Sequence, residues 1–334
     1  MLAQMSPREA AIAALRRERP EGLVPHMELE FQLTKEVFGR EALRAGHLKG
    51  VTGPRRKEML QANAQLWVDV AERYKWSIIT GTHWLPRDEQ CECLQYIKEI
   101  AGDTYMLSVF ADGTYSLPSG DDMMEHVVML RERPDEAKAQ AQRNIENSIA
   151  HARAVIEAGA EVVLMCADYC FNVGPFLSPP MFAEFVTPYL KQVVDAVHEM
   201  GAFAVKHTDG NIMPILDQIA ATGVDAIHSI DPQAGMDIRE VRRLYGDRLC
   251  LFGNVECAAL HSGTPDQIRE SALYCLEYGG VDHGGYFFTS SNCIFKGVPI
   301  ESYETMLRVR EEYGYPGVKR PVEGIAPPKR MGER

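Results

Sequence analysis

Short apolar runs alternate with amphipathic stretches along most of the chain, at 77–80 (SIIT), 105–110 (YMLSVF), 162–166 (VVLMC), 203–206 (FAVK), 225–230 (DAIHSI), 249–252 (LCLF) and 285–289 (GYFFT). Each run has strand length, and helical sequence flanks it. An earlier segment, 23–30 (LVPHMELE), alternates apolar and polar residues around Pro25 and reads as a first strand. Eight strands with helices between most of them imply a parallel sheet covered outside by helices. Eight such units close naturally into a (β/α)8 barrel of about 250 residues. The 334 residues then fit an α/β TIM barrel, one domain over 1–334. An open doubly wound sheet would carry a Gly-rich phosphate loop after its first strand, and this sequence has none there.

Ser6 followed by Pro7 predicts a helix start, running to about Arg17 inside an N-terminal extension over 1–22. The stretches 40–75 and 111–147 read as insertions, the second a Gly/Ser/Pro loop leading into a charged helix from Pro134. Residues 315–334 are rich in Pro, Gly and basic residues, and are expected to be mobile or to pack on a partner subunit.

Composition narrows the function classes. With 35 basic against 47 acidic residues the net charge is −12, which opposes binding to a polyanion and excludes a dedicated nucleic-acid binder. Hydrophobic residues at 46% and charged residues at 25% fit a soluble globular chain. No run of about 18 uncharged apolar residues predicts a membrane span, and the first residues lack a signal-like apolar core. The eight cysteines, at 91, 93, 166, 170, 250, 257, 275 and 293, are scattered through a large chain, so reduced thiols in a cytoplasmic protein are expected.

The chemistry of this barrel class sits at the C-terminal ends of the strands. Collected there are Glu28 and Glu30, then Thr82 and His83, then Asp112, then Asp168 and Tyr169. The later strands add His207, Thr208, Asp209, Gly210 and Asn211; His228 and Asp231; Asn254 and Glu256; and Ser290, Ser291, Asn292 and Cys293. Any one of these taken alone reads first as a solvated or hydrogen-bonded loop residue. Their recurrence at one end predicts a single mouth, with Asp168, His207 and Asp209 catalytic. Glu28, Glu30, His83, Tyr169, His228, Asn254, Glu256, Ser290, Ser291 and Asn292 would line it.

Residues two apart on a strand share a face, so Asp168 and His207 can both point inward. His207, Asp209 and the distant Cys293 supply nitrogen, oxygen and sulfur donors that suit zinc. Asp209 before Gly210 and Asn211 reads alternatively as a cap for the next helix. Cys166 and Cys170 read as structural, Cys91 and Cys93 as lining a helix, and Met123 and Met124 as packing residues.

Several segments together carry a family resemblance: 168–193 (DYCFNVGPFLSPPMFAEFVTPYLKQV), 206–232 (KHTDGNIMPILDQIAATGVDAIHSIDP), 244–256 (LYGDRLCLFGNVE) and 284–307 (GGYFFTSSNCIFKGVPIESYETML). With the opening REAAIAALRRERPEGLVP, they make the chain resemble the uroporphyrinogen decarboxylase superfamily over nearly its whole length. That resemblance implies a (β/α)8 barrel, and a homodimer paired mouth to mouth. The superfamily holds porphyrinogen decarboxylases and zinc-dependent methyltransferases that serve corrinoid proteins. The decarboxylases carry an Arg-Gln-Ala-Gly-Arg segment that holds substrate carboxylates, where this chain has Glu28, Leu29, Glu30, Phe31 and Gln32.

The methylcobamide:coenzyme M methyltransferases carry His-x-Cys at the fifth strand and a further Cys after the eighth. By that resemblance His207 and Cys293 match zinc ligands, and Asp209 stands where the first Cys would be. Asp168, Glu184 and His207 loosely resemble the carboxylate-and-histidine zinc sites of members that take methyl from ethers or amines. The resemblance thus implies zinc, a small methyl donor or acceptor, and a corrinoid supplied by a partner protein. The chain has no Asp-x-His-x-x-Gly corrinoid segment of its own. A metal-independent decarboxylase and a non-catalytic corrinoid or tetrapyrrole binder are the alternatives.

Overall fold

In the computed structural model, which describes residues 5–330, the apolar runs become a parallel sheet. Its strands are β1 (Ile78–Ile79), β2 (Met106–Phe110), β3 (Val162–Met165), β6 (Phe203–His207), β7 (Ala226–His228), β8 (Cys250–Phe252) and β9 (Tyr286–Phe287), bonded in that order. The short strands β4 (Cys170–Phe171) and β5 (Gly174–Pro175) form a separate antiparallel hairpin after β3. In register, Ile78 lies beside Met106, Val162 beside both Ser108 and Phe203, Ala226 beside both Val205 and Cys250, and Leu251 beside Tyr286.

The expected first strand is not a regular ladder. Segment 25–31 instead touches both edges of the sheet, with Phe288 N donating to Pro25 O at 3.0 Å and Ser77 N donating to His26 O at 2.7 Å. Isolated parallel bridges His26–Phe288 and Phe31–Ile294 continue the contact. Pro25 has no N–H for a ladder, so it sits where only its carbonyl is used. The segment takes the eighth place and joins β9 back to β1, giving the α/β TIM barrel.

The helices are α1 (Pro7–Leu15), α2 (Thr34–Phe38), α3 (Gly53–Tyr74), α4 (Arg87–Ala101), α5 (Met123–Glu132), α6 (Pro134–Glu157), α7 (Pro179–Phe185), α8 (Thr187–Glu199), α9 (Leu216–Ala221), α10 (Ile238–Tyr245), α11 (Cys257–Ser262), α12 (Pro265–Gly279) and α13 (Ile300–Tyr313). Two stretches expected as insertions prove to contain barrel helices. α3 buries Leu60, Ala64, Trp67, Ala71 and Tyr74, a stripe at helical spacing, and packs beside α4. α6 likewise buries Ala137, Ala141, Ile145, Ala152 and Val155 between β2 and β3 in the chain. The periodicity was present in both; their unusual lengths disguised it.

Helix α1 opens with a reciprocal cap between Ser6 and Glu9 and ends at Leu15, two residues short of the expectation, where Arg17 turns left-handed with φ 64°. Arg8 pairs with Glu161 just before β3, which places α1 at the N-terminal end of the barrel. There Ala11, Ala14 and Leu15 pack with Met27, Ile78, Met106 and Val162 inside the sheet. A second, larger core fills the space between sheet and helices around Trp67, Trp76 and Tyr303.

The first part of the tail makes contacts with the barrel. Buried Arg320 reaches Asp282 at 2.7 Å and donates to the carbonyls of Tyr313 and Tyr315. Residues 331–334 of the expected tail lie outside the described residues. Among the described residues no helix is long and apolar enough to cross a membrane.

Candidate metal centre and active site

The strand ends converge at the mouth. His207 closes β6, while Asp168 follows β3 by three residues. Ligand atoms of Asp168, His207 and Asp209 all lie within 4.8 Å of one another. β3 and β6 are neighbours in the sheet, which brings their ends side by side.

Fixed donors orient the three. Asp168 Oδ1 accepts the backbone N–H of Asp209 at 2.9 Å. Asp209 Oδ1 accepts Ser229 Oγ at 2.6 Å, and its Oδ2 accepts the Asn292 amide. Neither carboxylate oxygen of Asp209 caps a helix; Asn211 makes the turn instead, accepting from Met213 N at 3.2 Å. Gly210 lets the chain turn here. Its φ is +83°, and a Cβ would stand 2.6 Å from the Cys170 carbonyl oxygen.

His207 Nδ1 meets His228 Nδ1 at 2.7 Å, which leaves Nε2 toward Asp209, 3.9 Å from its Oδ1. Burial lowers the His207 imidazole to about 4, with Asp168 opposing the shift, so the ring is neutral and keeps a lone pair near pH 7. Burial pushes the Asp209 carboxyl up to about 7, the Ser229 hydrogen bond opposing and the charges of Asp168 and Asp231 adding to the rise. Two converging carboxylates and a neutral imidazole suit a divalent cation, and Zn²⁺ accepts both donor types. With a cation on Nε2, His228 would be the outer partner that orients the His207 ring.

Other expected site residues fall elsewhere. Cys293 is half-buried and belongs to no group of three potential ligands within such reach. Burial drives its thiol far up, and Glu30 adds to that rise. In its loop it is Asn292 that reaches Asp209. Tyr169 turns outward to the helix layer, its hydroxyl on Thr114 Oγ1 at 2.7 Å and its ring against Phe182, because it alternates with Asp168. His228 is sealed from solvent and touches His207 rather than the mouth.

The remaining expectations divide the same way. Ser291 Oγ accepts Cys257 N at 3.3 Å, at the start of α11. Asn254 ties Ile230 O to Cys275 Sγ. Asn254 and Glu256 line a cavity of ≈630 Å³ between α11, α12 and the tail. Glu184 is exposed on α7 and pairs with Lys138 at 2.6 Å. Asp231 accepts Gln233 N and Gly210 N, and so shapes loops. All eight cysteines are unpaired.

Glu28 departs most from expectation, because it is fully buried instead of lining the mouth. Its Oε2 accepts Thr289 Oγ1, Ser290 N and Ser290 Oγ, while Oε1 has no hydrogen-bond partner among the described residues and lies 3.8 Å from His26 Nε2. Burial raises this carboxyl to about 8 against those hydrogen bonds, so it is neutral at pH 7. In the unfolded chain it ionises near 4.5. Between those values the unfolded chain has released a proton that the folded chain keeps, so stability falls as pH rises from about 4.5 to about 8, then levels. Glu28→Gln is expected to flatten that slope and gain on the order of a few kcal/mol over wild type at pH 8, at about 1.4 kcal/mol per pH unit. Urea midpoints of both proteins at pH 5 and pH 8 check it; equal slopes would show that Glu28 ionises normally.

Two features escaped the sequence reading. Lys206, inside an apolar run, is fully buried, with Nζ 2.7 Å from Asp112 Oδ2, 2.7 Å from Ala167 O and 3.1 Å from Met165 O. Asp112 also accepts Ala167 N at 2.8 Å, so this pair clamps the backbone next to Asp168. Burial would raise the Asp112 carboxyl, but Lys206, Thr114 and the Ala167 N–H together hold it below its ordinary value. Asp112 therefore anchors the backbone beside Asp168. The second feature is the left-handed pair Ser229 and Ile230, at φ 86° and 46°, which delivers the Ser229 hydroxyl to Asp209.

A parallel barrel with a carboxylate–imidazole cluster at its C-terminal mouth defines an enzyme architecture. The family model for uroporphyrinogen decarboxylase (URO-D) matches residues 88–313, and the chain belongs to that family. Uroporphyrinogen decarboxylase of Coxiella burnetii (strain RSA 493 / Nine Mile phase I) is 29% identical over 195 residues, covering 55% of this chain and 50% of that one. Methylcobamide:CoM methyltransferase MtaA of Methanosarcina barkeri is 31% identical over 170 residues, covering 50% and 46%. The chain thus spans about half the length of these curated relatives. Among solved structures, a methyltransferase from Methanosarcina mazei superposes with TM-score 0.70 at 19% identity, over 92% of this chain and 99% of that one. At that identity the likeness is one of fold.

Proposed function

We propose that the chain is a zinc-dependent methyltransferase, moving a methyl group between a small methylated substrate and a corrinoid held by a partner protein. The observation that carries this reading is the Asp168–His207–Asp209 cluster, whose donors converge within 4.8 Å. Zinc bound there would act as a Lewis acid on the heteroatom that bears the methyl group. Asp168, Asp209 and His207 Nε2 would hold the cation, and His228 would fix the His207 ring. Ser229 and Asn292 keep Asp209 aimed. The unpaired thiols suit a reducing, cytoplasmic setting.

A second reading, decarboxylation of a carboxylated substrate, draws on the names of the decarboxylase relatives. The mouth weighs against it. Glu30, Asp168 and Asp209 gather acidic groups where a polycarboxylate would need cations, although Glu28, being buried and neutral, adds nothing to that repulsion. Elemental analysis of untagged protein, with methyl-transfer assays on reduced corrinoid, separates the two. About one zinc per chain, with transfer lost on chelation and restored by zinc, supports methyl transfer; a metal-free chain that releases CO₂ from a carboxylated substrate overturns it.

A further inference from the structure

Glu30 and His83 meet at the mouth, the first from segment 25–31 and the second from the helical turn Thr82–Trp84 after β1. His83 Nε2 lies 3.2 Å from Glu30 Oε1, and the second carboxylate oxygen accepts the Gln32 amide at 2.8 Å. The side chains are only 9% and 20% exposed. The imidazole stacks flat on Phe110, with centroids 3.9 Å apart and planes at 4°. Gly81 sets the approach, since its φ is +96° and a Cβ there would strike the Trp67 ring. The other ring nitrogen, Nδ1, takes no hydrogen bond among the described residues and is not sealed from solvent. A ring held at one nitrogen by a carboxylate and free at the other is arranged for proton transfer.

The position fits such a role. Phe110, under the ring, lines a cavity of ≈300 Å³ with Asp112, Ser116, Cys166 and Ala167, the residue before Asp168. The charge of Glu30 is felt at His207, Cys166 and Cys293. His83 itself holds the Glu30 carboxyl below its ordinary value, with Gln32 and the charge of Arg44 contributing. The Arg44 guanidinium lies over Trp84, the neighbour of His83, at 4.2 Å.

We propose that Glu30 and His83 form a general acid–base dyad that protonates the substrate heteroatom as its methyl group leaves. The proposal rests on the methyl-transfer reading. In the step, the carbon–heteroatom bond breaks and its electron pair stays on the heteroatom. The methyl carbon bonds to an external two-electron nucleophile, the reduced corrinoid. The proton on His83 Nδ1 passes to the heteroatom, so an alcohol or amine departs uncharged. Glu30 stabilises the imidazolium before the transfer, and bulk water reprotonates the ring afterwards. In the reverse direction His83 removes the same proton.

The test has one readout free of turnover. NMR titration of ring-labelled histidine, with His83 assigned through His83→Gln, is expected to show its pKa fall by about 1 unit or more in Glu30→Gln. No fall overturns the dyad, whatever the chain catalyses. In methyl-transfer assays, His83→Gln is expected to retain wild-type zinc content and lose roughly 10²–10⁴-fold in kcat with a donor whose demethylated heteroatom is strongly basic. The loss should shrink for a weakly basic leaving group, a contrast that a merely structural histidine would not produce. Unchanged kcat, or a loss equal for all donors, overturns proton delivery. If wild type moves no methyl group from any donor, the methyl-transfer reading fails and proton delivery with it, while the titration still decides whether the pair is coupled.

Discussion

His207→Ala is expected to yield a folded chain that purifies with almost no zinc and transfers no measurable methyl group. The substitution removes the one nitrogen donor of the three and leaves only the carboxylates of Asp168 and Asp209. Loss of an outer partner of a metal ligand costs about 10–100-fold in affinity or activity, so loss of the ligand itself should exceed that. Removing the ring also takes away the side-chain partner of His228 Nδ1. Cys293→Ser is the informative companion, because it separates the cluster seen in the structure from the ligand set that family resemblance implies. It should keep its zinc. Metal content by elemental analysis decides both: zinc lost from Cys293→Ser but kept in His207→Ala would reverse the assignment.

Lys206→Met should cost roughly 3–5 kcal/mol of stability, because it leaves the Asp112 carboxylate buried without its cation. Two carbonyls, Met165 O and Ala167 O, lose a donor as well. The double variant Lys206→Met/Asp112→Asn should recover much of that loss, since the orphaned charge is gone while an amide still fits beside Thr114 and Ala167. Urea denaturation of the two variants and wild type checks this. A single variant as stable as wild type would mean that water or another group reaches Asp112. The same comparison bears on function, because the Lys206–Asp112 clamp holds the strand just before Asp168.

Much of the fold was legible because strand and helix carry different hydrophobic periods, and eight short runs declare a barrel before any contact is known. Which strand ends share a neighbourhood was legible too, since Asp168 and His207 follow successive strands of a parallel sheet. Two kinds of information stayed hidden. The first is depth: segment 25–31 lacks a regular ladder, so alternation alone does not say that Glu28 is sealed while Glu30 is open. The second is pairing across long separations. Lys206 finds Asp112 94 residues away, and nothing local to the run FAVK announces that its lysine will be neutralised inside. Cys293 shows the converse, since a matching motif position brought the right loop to the mouth, but Asn292 is the residue that reaches the cluster.

The helix that closes the base of the barrel bears on kinetics. With Ala11, Ala14 and Leu15 packed among the interior side chains, the barrel is stoppered at one end. On the methyl-transfer reading, small substrate and corrinoid partner would therefore share a single doorway at the other. A bulky carrier docked over that doorway would trap whatever small molecule was already inside, and an empty enzyme that met the carrier first would be blocked. Order of arrival, rather than affinity alone, then governs turnover, and excess carrier should inhibit by capping vacant barrels.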